Sequence, residues 1–177
     1  GLGYYNRVRN MQTAARTVVC EYEGVLPASY EELLSLKGIG NYTAGAIASI
    51  AYQIPVPAVD GNVLRVISRI TEDRQDIMKQ SVRRQIEENL LGIMPEETPG
   101  DFNQALMELG AVVCVPNGPA RCEACPVSEY CLAYRHGTVE ELPVKAPKKE
   151  RILQNRTVLV IQDGEKTAIQ KQIGRVH

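Results

Sequence analysis

The chain has 177 residues, 44% of them hydrophobic and 23% charged, with a formal net charge of −1. That length holds one sizeable core, or one domain and the start of another, and the charge excludes a global basic field, so a nucleic-acid partner would have to be held by local patches and backbone amides. No run of about 18 apolar residues offers a membrane span, and with nothing at the N-terminus resembling a signal peptide the chain reads as a protein of a reducing cytosol.

The chain opens on Gly1-Leu2-Gly3-Tyr4-Tyr5, a turn-like run that does not begin with Met, and a piece of a longer protein is expected. Met11, Ala14, Ala15, Val18, Val19 and Tyr22 recur at helical spacing over residues 6–22, with Gly24 and Pro27 as the stop. Cys20 falls in that stripe and is expected to be a small buried hydrophobe. Ser29-x-x-Glu32 is a capping box for a short helix carrying Leu33, Leu34 and Leu36. Residues 41–52 form a helix rich in Ala and Gly, and residues 61–71 another, with Val63, Val66, Ile67 and Ile70 on one face. Val82, Ile86, Leu90 and Ile93 stripe the next, and Asp101 is placed to cap a helix through Leu109 that delivers Cys114.

Composition changes after Gly137. Residues 141–155, with Pro143, Pro147 and Lys148-Lys149-Glu150-Arg151, read as an extended charged linker. Thr157–Ile161 is β-branched and apolar, Asp163-Gly164 is a hairpin turn, and Ala168-Ile169 resumes beyond it, so a second, sheet-containing domain starts here. The expected organisation is a helical core over 1–113, a cysteine loop over 114–140, a linker over 141–155 and the start of a further domain over 156–177.

Three places carry chemistry. In Leu36-Lys37-Gly38-Ile39-Gly40 an apolar residue between two glycines joins two helices; Ile39 can plug the pair while both glycines take conformations closed to other residues. Amides left outward at the start of the second helix would bind an anion such as a backbone phosphate, although an ordinary helical hairpin explains the glycines equally well. Asp60, in Val59-Asp60-Gly61-Asn62, stands just before a helix, where capping is the plain explanation. Cys114, Cys122, Cys125 and Cys131 lie within eighteen residues in the pattern C-x7-C-x2-C-x5-C. A single C-x2-C knuckle with wide arms favours an iron–sulfur cluster over the paired knuckles of structural zinc, with disulfides as the remaining alternative.

Leu36–Ala44, Val59-Asp60-Gly61-Asn62-Val63 and the cysteine loop, in that order, resemble the helix-hairpin-helix base-excision DNA glycosylases, and more narrowly the A/G-specific adenine DNA glycosylases. Gly1–Tyr5 and Asp101-Phe102-Asn103-Gln104-Ala105 match the same group, so the resemblance runs over residues 1–143. The first cysteine interval holds seven residues where the family commonly has six, an insertion that the Pro/Gly loop 115–121 can absorb.

The resemblance implies an all-α helix-hairpin-helix glycosylase core with a 4Fe-4S cluster held by Cys114, Cys122, Cys125 and Cys131, then a linker and the first hairpin of a truncated α+β, Nudix-like C-terminal domain. It implies DNA base-excision repair by a monomer in the bacterial cytosol or nucleoid, on double-stranded DNA carrying adenine mispaired with 8-oxoguanine or guanine. Asp60 matches the family's aspartate that stabilises positive charge on the sugar as the N-glycosidic bond breaks. Tyr42 stands where the endonuclease III type has a Schiff-base lysine, which implies a monofunctional hydrolase; Tyr42 and Asn62 match pocket-lining positions. Tyr4 is implied as a wedge in the base stack, and Lys37, Gly38, Ile39, Gly40, Thr43 and Arg121 as DNA contacts. Tyr5 is expected to pack in the core, and Arg7 and Arg9 to meet phosphate or solvent. The family's glutamate that protonates adenine lies upstream of Gly1, so weak or absent turnover is expected. The alternatives are an endonuclease III-like glycosylase/lyase, a helix-hairpin-helix DNA-binding module without catalysis, and an iron–sulfur electron-transfer protein; Asp60 with Tyr42 argues against the second and the hairpin against the third.

Overall fold

The computed structural model describes residues 4–146 and 161–168 and divides the chain at Ala146 and Pro147 into two units. In the first unit the helices are α1 (Tyr5–Glu21), α2 (Tyr30–Ser35), α3 (Asn41–Tyr52), α4 (Gly61–Thr71), α5 (Gln80–Leu91), α6 (Pro99–Glu108) and α7 (Leu132–His136). A single π-helical turn, Leu109–Val113, continues α6 towards Cys114. No helix among the described residues is long and apolar enough to cross a membrane.

One apolar cluster joins α1, α2 and α3 through Val18, Leu33, Leu36, Ala44 and Ala48, with Ile39 packed against it. Leu33 is fully buried, and burying a leucine contributes roughly 1.5–3 kcal/mol. A second cluster gathers Val59, Val63, Leu64, Ile77, Val82, Ile86 and Leu90, with Phe102, Leu106 and Met107 against it. A third, Cys131, Ala133 and Leu142 with Ile70, Val139 and Val144, ties the cysteine loop to the end of α4.

Small residues let α3 and α6 approach. A Cβ on Gly45 would lie 2.5 Å from the Pro57 carbonyl, and one on Gly100 would lie 2.8 Å from the Ser49 carbonyl. Between these helices runs the extended segment 54–59, whose polar groups are matched by the buried Asn103. Asn103 Oδ1 accepts from the Ala58 amide at 3.0 Å, and its Nδ2 donates to Ser49 Oγ at 2.8 Å and to the Val56 carbonyl at 2.9 Å. Asn103 thereby fixes Val56 and Ala58, in the segment that leads into Asp60.

Several expectations are corrected. Cys20 is exposed, as are Met11, Ala15 and Val19, because α1 packs through Ala14, Val18 and Tyr22 and nothing among the described residues covers the opposite side. Ile93 lies past the end of α5 and is exposed, and Met94 takes the buried place. Asp101 does not cap α6: the helix begins at Pro99 after Thr98, and Asp101 sits exposed in its first turn. The Ser29 cap, by contrast, stands: Ser29 Oγ accepts from the Glu32 amide at 3.3 Å, and its hydroxyl donates to Glu31 at 3.1 Å. Residues 141–146 do not form a free linker. Leu142 is buried, Val144 packs beside it, and the Val144 carbonyl accepts from the Ile77 amide at 3.1 Å.

In the second unit β1 (Gln162–Asp163) pairs antiparallel with β2 (Lys166–Thr167), with Asp163 opposite Lys166 and the turn at Gly164-Glu165. The turn therefore falls one residue later than the sequence suggests, with Gly164 in the left-handed region at φ 58°. Residues 147–155, the strand start at 157–160 and Ile169 lie outside the described residues.

Candidate active site and nucleic-acid interface

The turn between α2 and α3 leaves a set of unused donors. Gly38 is left-handed (φ 86°), but Gly40 is extended (φ −109°, ψ 178°), a conformation open to any residue, which corrects the expectation for both glycines. The Ile39 amide turns inward to the Leu36 carbonyl at 3.1 Å while its side chain packs on the α1–α3 cluster. Gly40, as the cap of α3, has no side chain to offer, and no side-chain cap bonds the first turn. The amides of Asn41, Tyr42 and Thr43 are therefore the orphan donors of a helix start, and a Cβ at Gly40 would meet open space. Lys37, Tyr42 and Thr43 are exposed around them.

Asp60 caps α4 and is held on both oxygens. Its Oδ1 accepts from the amides of Asn62 (2.8 Å) and Val63 (2.9 Å), and its Oδ2 accepts from Asn62 Nδ2 (2.9 Å). Capping and a fixed carboxylate are thus one arrangement. Asn62 thus meets Asp60 through both its backbone amide and its side chain. The Tyr42 hydroxyl instead reaches Met107 Sδ at 3.7 Å, so Tyr42 is anchored on α6 and does not bond Asp60.

Asn62 passes the arrangement on to residues the sequence reading missed. Arg65 Nη2 donates to Asn62 Oδ1 (3.0 Å) and to the Gly110 carbonyl (2.6 Å), and its Nε donates to the Cys114 carbonyl (2.8 Å). One turn on, Arg69 Nη1 donates to Cys114 Sγ and the Val115 carbonyl, both at 3.2 Å, and its Nε donates to the Val139 and Leu142 carbonyls, both at 3.0 Å. Burial pulls the Arg65 guanidinium below its ordinary value, and the neighbouring Cys114 sulfur pulls it back up. A Cβ on Gly110 would lie 2.6 Å from Asn62 Cβ, so the π-helical turn can come this close to Asn62 only without a side chain there.

Cys114, Cys122, Cys125 and Cys131 line one cavity with Val66, Ile70, Leu109 and Val127 among its apolar walls. All four thiols are free. Burial pushes the Cys122 thiol up, and the neighbouring sulfurs of Cys114, Cys131 and Cys125 push it further. No three metal-binding side chains among the described residues are gathered as a site for a single ion. Arg121 is exposed at the rim of this loop. Tyr4 and Tyr5, at the start of α1, are 75% and 66% exposed, so Tyr5 is not the core residue expected.

Residues 21–50 match the helix-hairpin-helix motif. The chain is 44% identical to the adenine DNA glycosylase of Mus musculus over 88% of its own length and 31% of the relative's, and 46% identical to that of Homo sapiens over 80% and 26%. It is 34% identical to the adenine DNA glycosylase of Buchnera aphidicola subsp. Acyrthosiphon pisum over 84% of the chain and 42% of the relative. The chain thus spans well under two thirds of these curated relatives. Among solved structures it is similar to a thermostable thymine-DNA glycosylase (TM-score 0.64, 30% identity, 76% of this chain and 62% of that one). It is equally similar to a trapped endonuclease III–DNA covalent intermediate (TM-score 0.64, 30% identity, 77% and 62%). Over most of its length, this chain belongs to the adenine DNA glycosylase family and carries its helix-hairpin-helix motif.

Proposed function

We propose that this chain forms the DNA-holding and sugar-facing part of a monofunctional glycosylase that hydrolyses the N-glycosidic bond of adenine mispaired with 8-oxoguanine or guanine. The observation that carries this is Asp60, a carboxylate fixed by three hydrogen bonds at the head of α4 in a chain that also holds the hairpin's free amides. A carboxylate oxygen has two lone pairs, so Oδ1, which accepts both amides, is filled, and Oδ2 keeps one for the reaction. As the bond to adenine lengthens, positive charge grows on the sugar, and a carboxylate held still beside it stabilises that charge without reorganising. Asn62 sets its orientation and Arg65 sets Asn62. Tyr42 offers a phenol where an amine would form an imine, which leaves hydrolysis as the outcome.

The hairpin positions the strand: amides of Asn41, Tyr42 and Thr43 receive a phosphate, with Lys37 and Gly40 at its approach. Tyr4 is exposed enough to wedge into the stack when a nucleotide leaves it, and Arg121 reaches backbone from the cysteine loop. Cys114, Cys122, Cys125 and Cys131 line one cavity, and four thiolates there would hold a 4Fe-4S group. Such a group would supply a rigid cross-link for residues 114–131, and the Arg69 contact to Cys114 Sγ joins that loop to the Asp60 helix.

Duplexes with adenine opposite 8-oxoguanine, guanine or thymine, titrated by anisotropy and then treated with borohydride, test this reading. Severalfold tighter binding of the two mispairs, with no covalent trapping, is expected. Lysine-linked trapping would establish the endonuclease III-like lyase alternative, and equal binding of all three duplexes would leave only a DNA-binding module.

A further inference from the structure

A groove runs between the start of α3 and the start of α5, and its α5 wall has no role in the site described above. On the α3 side it is lined by Gly40, Tyr42 and Thr43, and at its base by Val59, the residue before Asp60. On the α5 side lie Gln80, Arg83, Arg84 and Glu87, spaced i, i+3, i+4 and i+7, so a single face of α5 is turned to the hairpin. We propose that this groove carries the phosphodiester backbone of the bound DNA strand away from the hairpin, with Arg83 and Arg84 contacting one or two phosphates beside the one on the α3 amides. The inference rests on the nucleic-acid reading of the hairpin and extends it.

Three observations support the assignment. Arg83 is half-buried and its Nε donates to the Ile77 carbonyl at 3.2 Å, which fixes the guanidinium along the wall while leaving its terminal amines for a ligand. Among the described residues neither Arg83 nor Arg84 forms a salt bridge. Glu87 is the one carboxylate in the lining, and burial raises its carboxyl while the two arginines draw it down, so the wall keeps a positive balance towards the hairpin end. In addition, α5 has no side-chain cap and no acid in its first turn, so its amides add to the positive field. Guanidinium groups suit phosphate oxygens in geometry as well as charge. A strand lying here is led past Val59 to Asp60, where its sugar must be placed.

The test uses the full chain and a fluorescein-labelled duplex containing a single adenine–8-oxoguanine mispair. Arg84→Gln, at an exposed position that leaves the helix intact, should lower the slope of log binding constant against log salt by about one unit, and Arg83→Gln/Arg84→Gln by about two. The loss should be the same on matched and mispaired duplexes, and the paired lysine substitutions should restore the slope. Neutral methylphosphonates placed one at a time should reveal a phosphate whose neutralisation weakens the parent but not the Arg83→Gln/Arg84→Gln protein, distinct from the one silenced by Gly38→Val. If the arginine variants keep the parent slope and phosphate sensitivity while Gly38→Val loses binding, the groove is not the track and the hairpin reading stands. If the parent binds no duplex, both fall.

Discussion

Gly38 and Gly40 flank the same isoleucine and answer to different physics. At Gly38 a side chain would be strained by the left-handed backbone, and its Cβ would stand 2.6 Å from Asn10 Cβ on α1. Gly38→Ala should therefore cost about 1–2 kcal/mol of stability and disturb the turn. At Gly40 the backbone is ordinary and the space open, so Gly40→Ala should change stability by less than about 0.5 kcal/mol. It should still weaken duplex binding, because the methyl stands where a phosphate would approach the α3 amides. Thermal melts and anisotropy separate the two; a Gly40→Ala protein of parent affinity would place the phosphate elsewhere. Asp60 was legible from Val59-Asp60-Gly61-Asn62 because a cap precedes its helix. Arg65 and Arg69 were not, because periodicity assigns charged side chains to solvent by default. Their signal was there: two arginines at i and i+4 in an otherwise uncharged helix, with no acid beside them in that helix.

The helices themselves follow their sequence patterns closely, α4 most of all, with its apolar periodicity and the capping Asp60 at its start. What eluded the pattern is which side of each helix is covered. The exposed apolar side of α1 and the packing of residues 141–146 depend on partners far away in sequence, and neither is encoded locally. At the junction of α4 and α7 a small network holds two elements together. Glu72, the left-handed C-cap of α4, has its Oε2 2.6 Å from His136 Nδ1 and its Oε1 accepting from the Thr138 hydroxyl at 2.8 Å, with Arg74 3.5 Å away. The hydrogen bonds from His136 and Thr138, and then the charges of His136 and Arg74, hold its carboxyl below the ordinary glutamate value. A lowered carboxyl stabilises the folded state above the ordinary glutamate range and loses that contribution as pH falls through the lowered value. Melting temperatures of the parent and Glu72→Gln should therefore differ at neutral pH and converge under acid. A gap that persists undiminished at low pH would show that the carboxylate charge is not what holds the junction.

Within the first unit a line of contacts runs from the Asp60 carboxylate to the cysteine loop: Asp60 to Asn62, Asn62 to Arg65, and Arg65 to the Cys114 carbonyl. The chain spans well under two thirds of the curated relatives named above, so the most direct test reads the transition-state charge and does not depend on turnover. Two duplexes suffice, one with a cationic pyrrolidine in place of the target nucleotide and one with a neutral tetrahydrofuran. Asp60→Asn keeps the shape and removes the charge. The account predicts that the substitution weakens binding of the pyrrolidine duplex by about ten- to a hundredfold, or ~1.4–2.8 kcal/mol, and that of the tetrahydrofuran duplex by less than about twofold. Equal effects on the two duplexes, or none on either, would contradict the assignment of Asp60 as the group that stabilises the sugar cation.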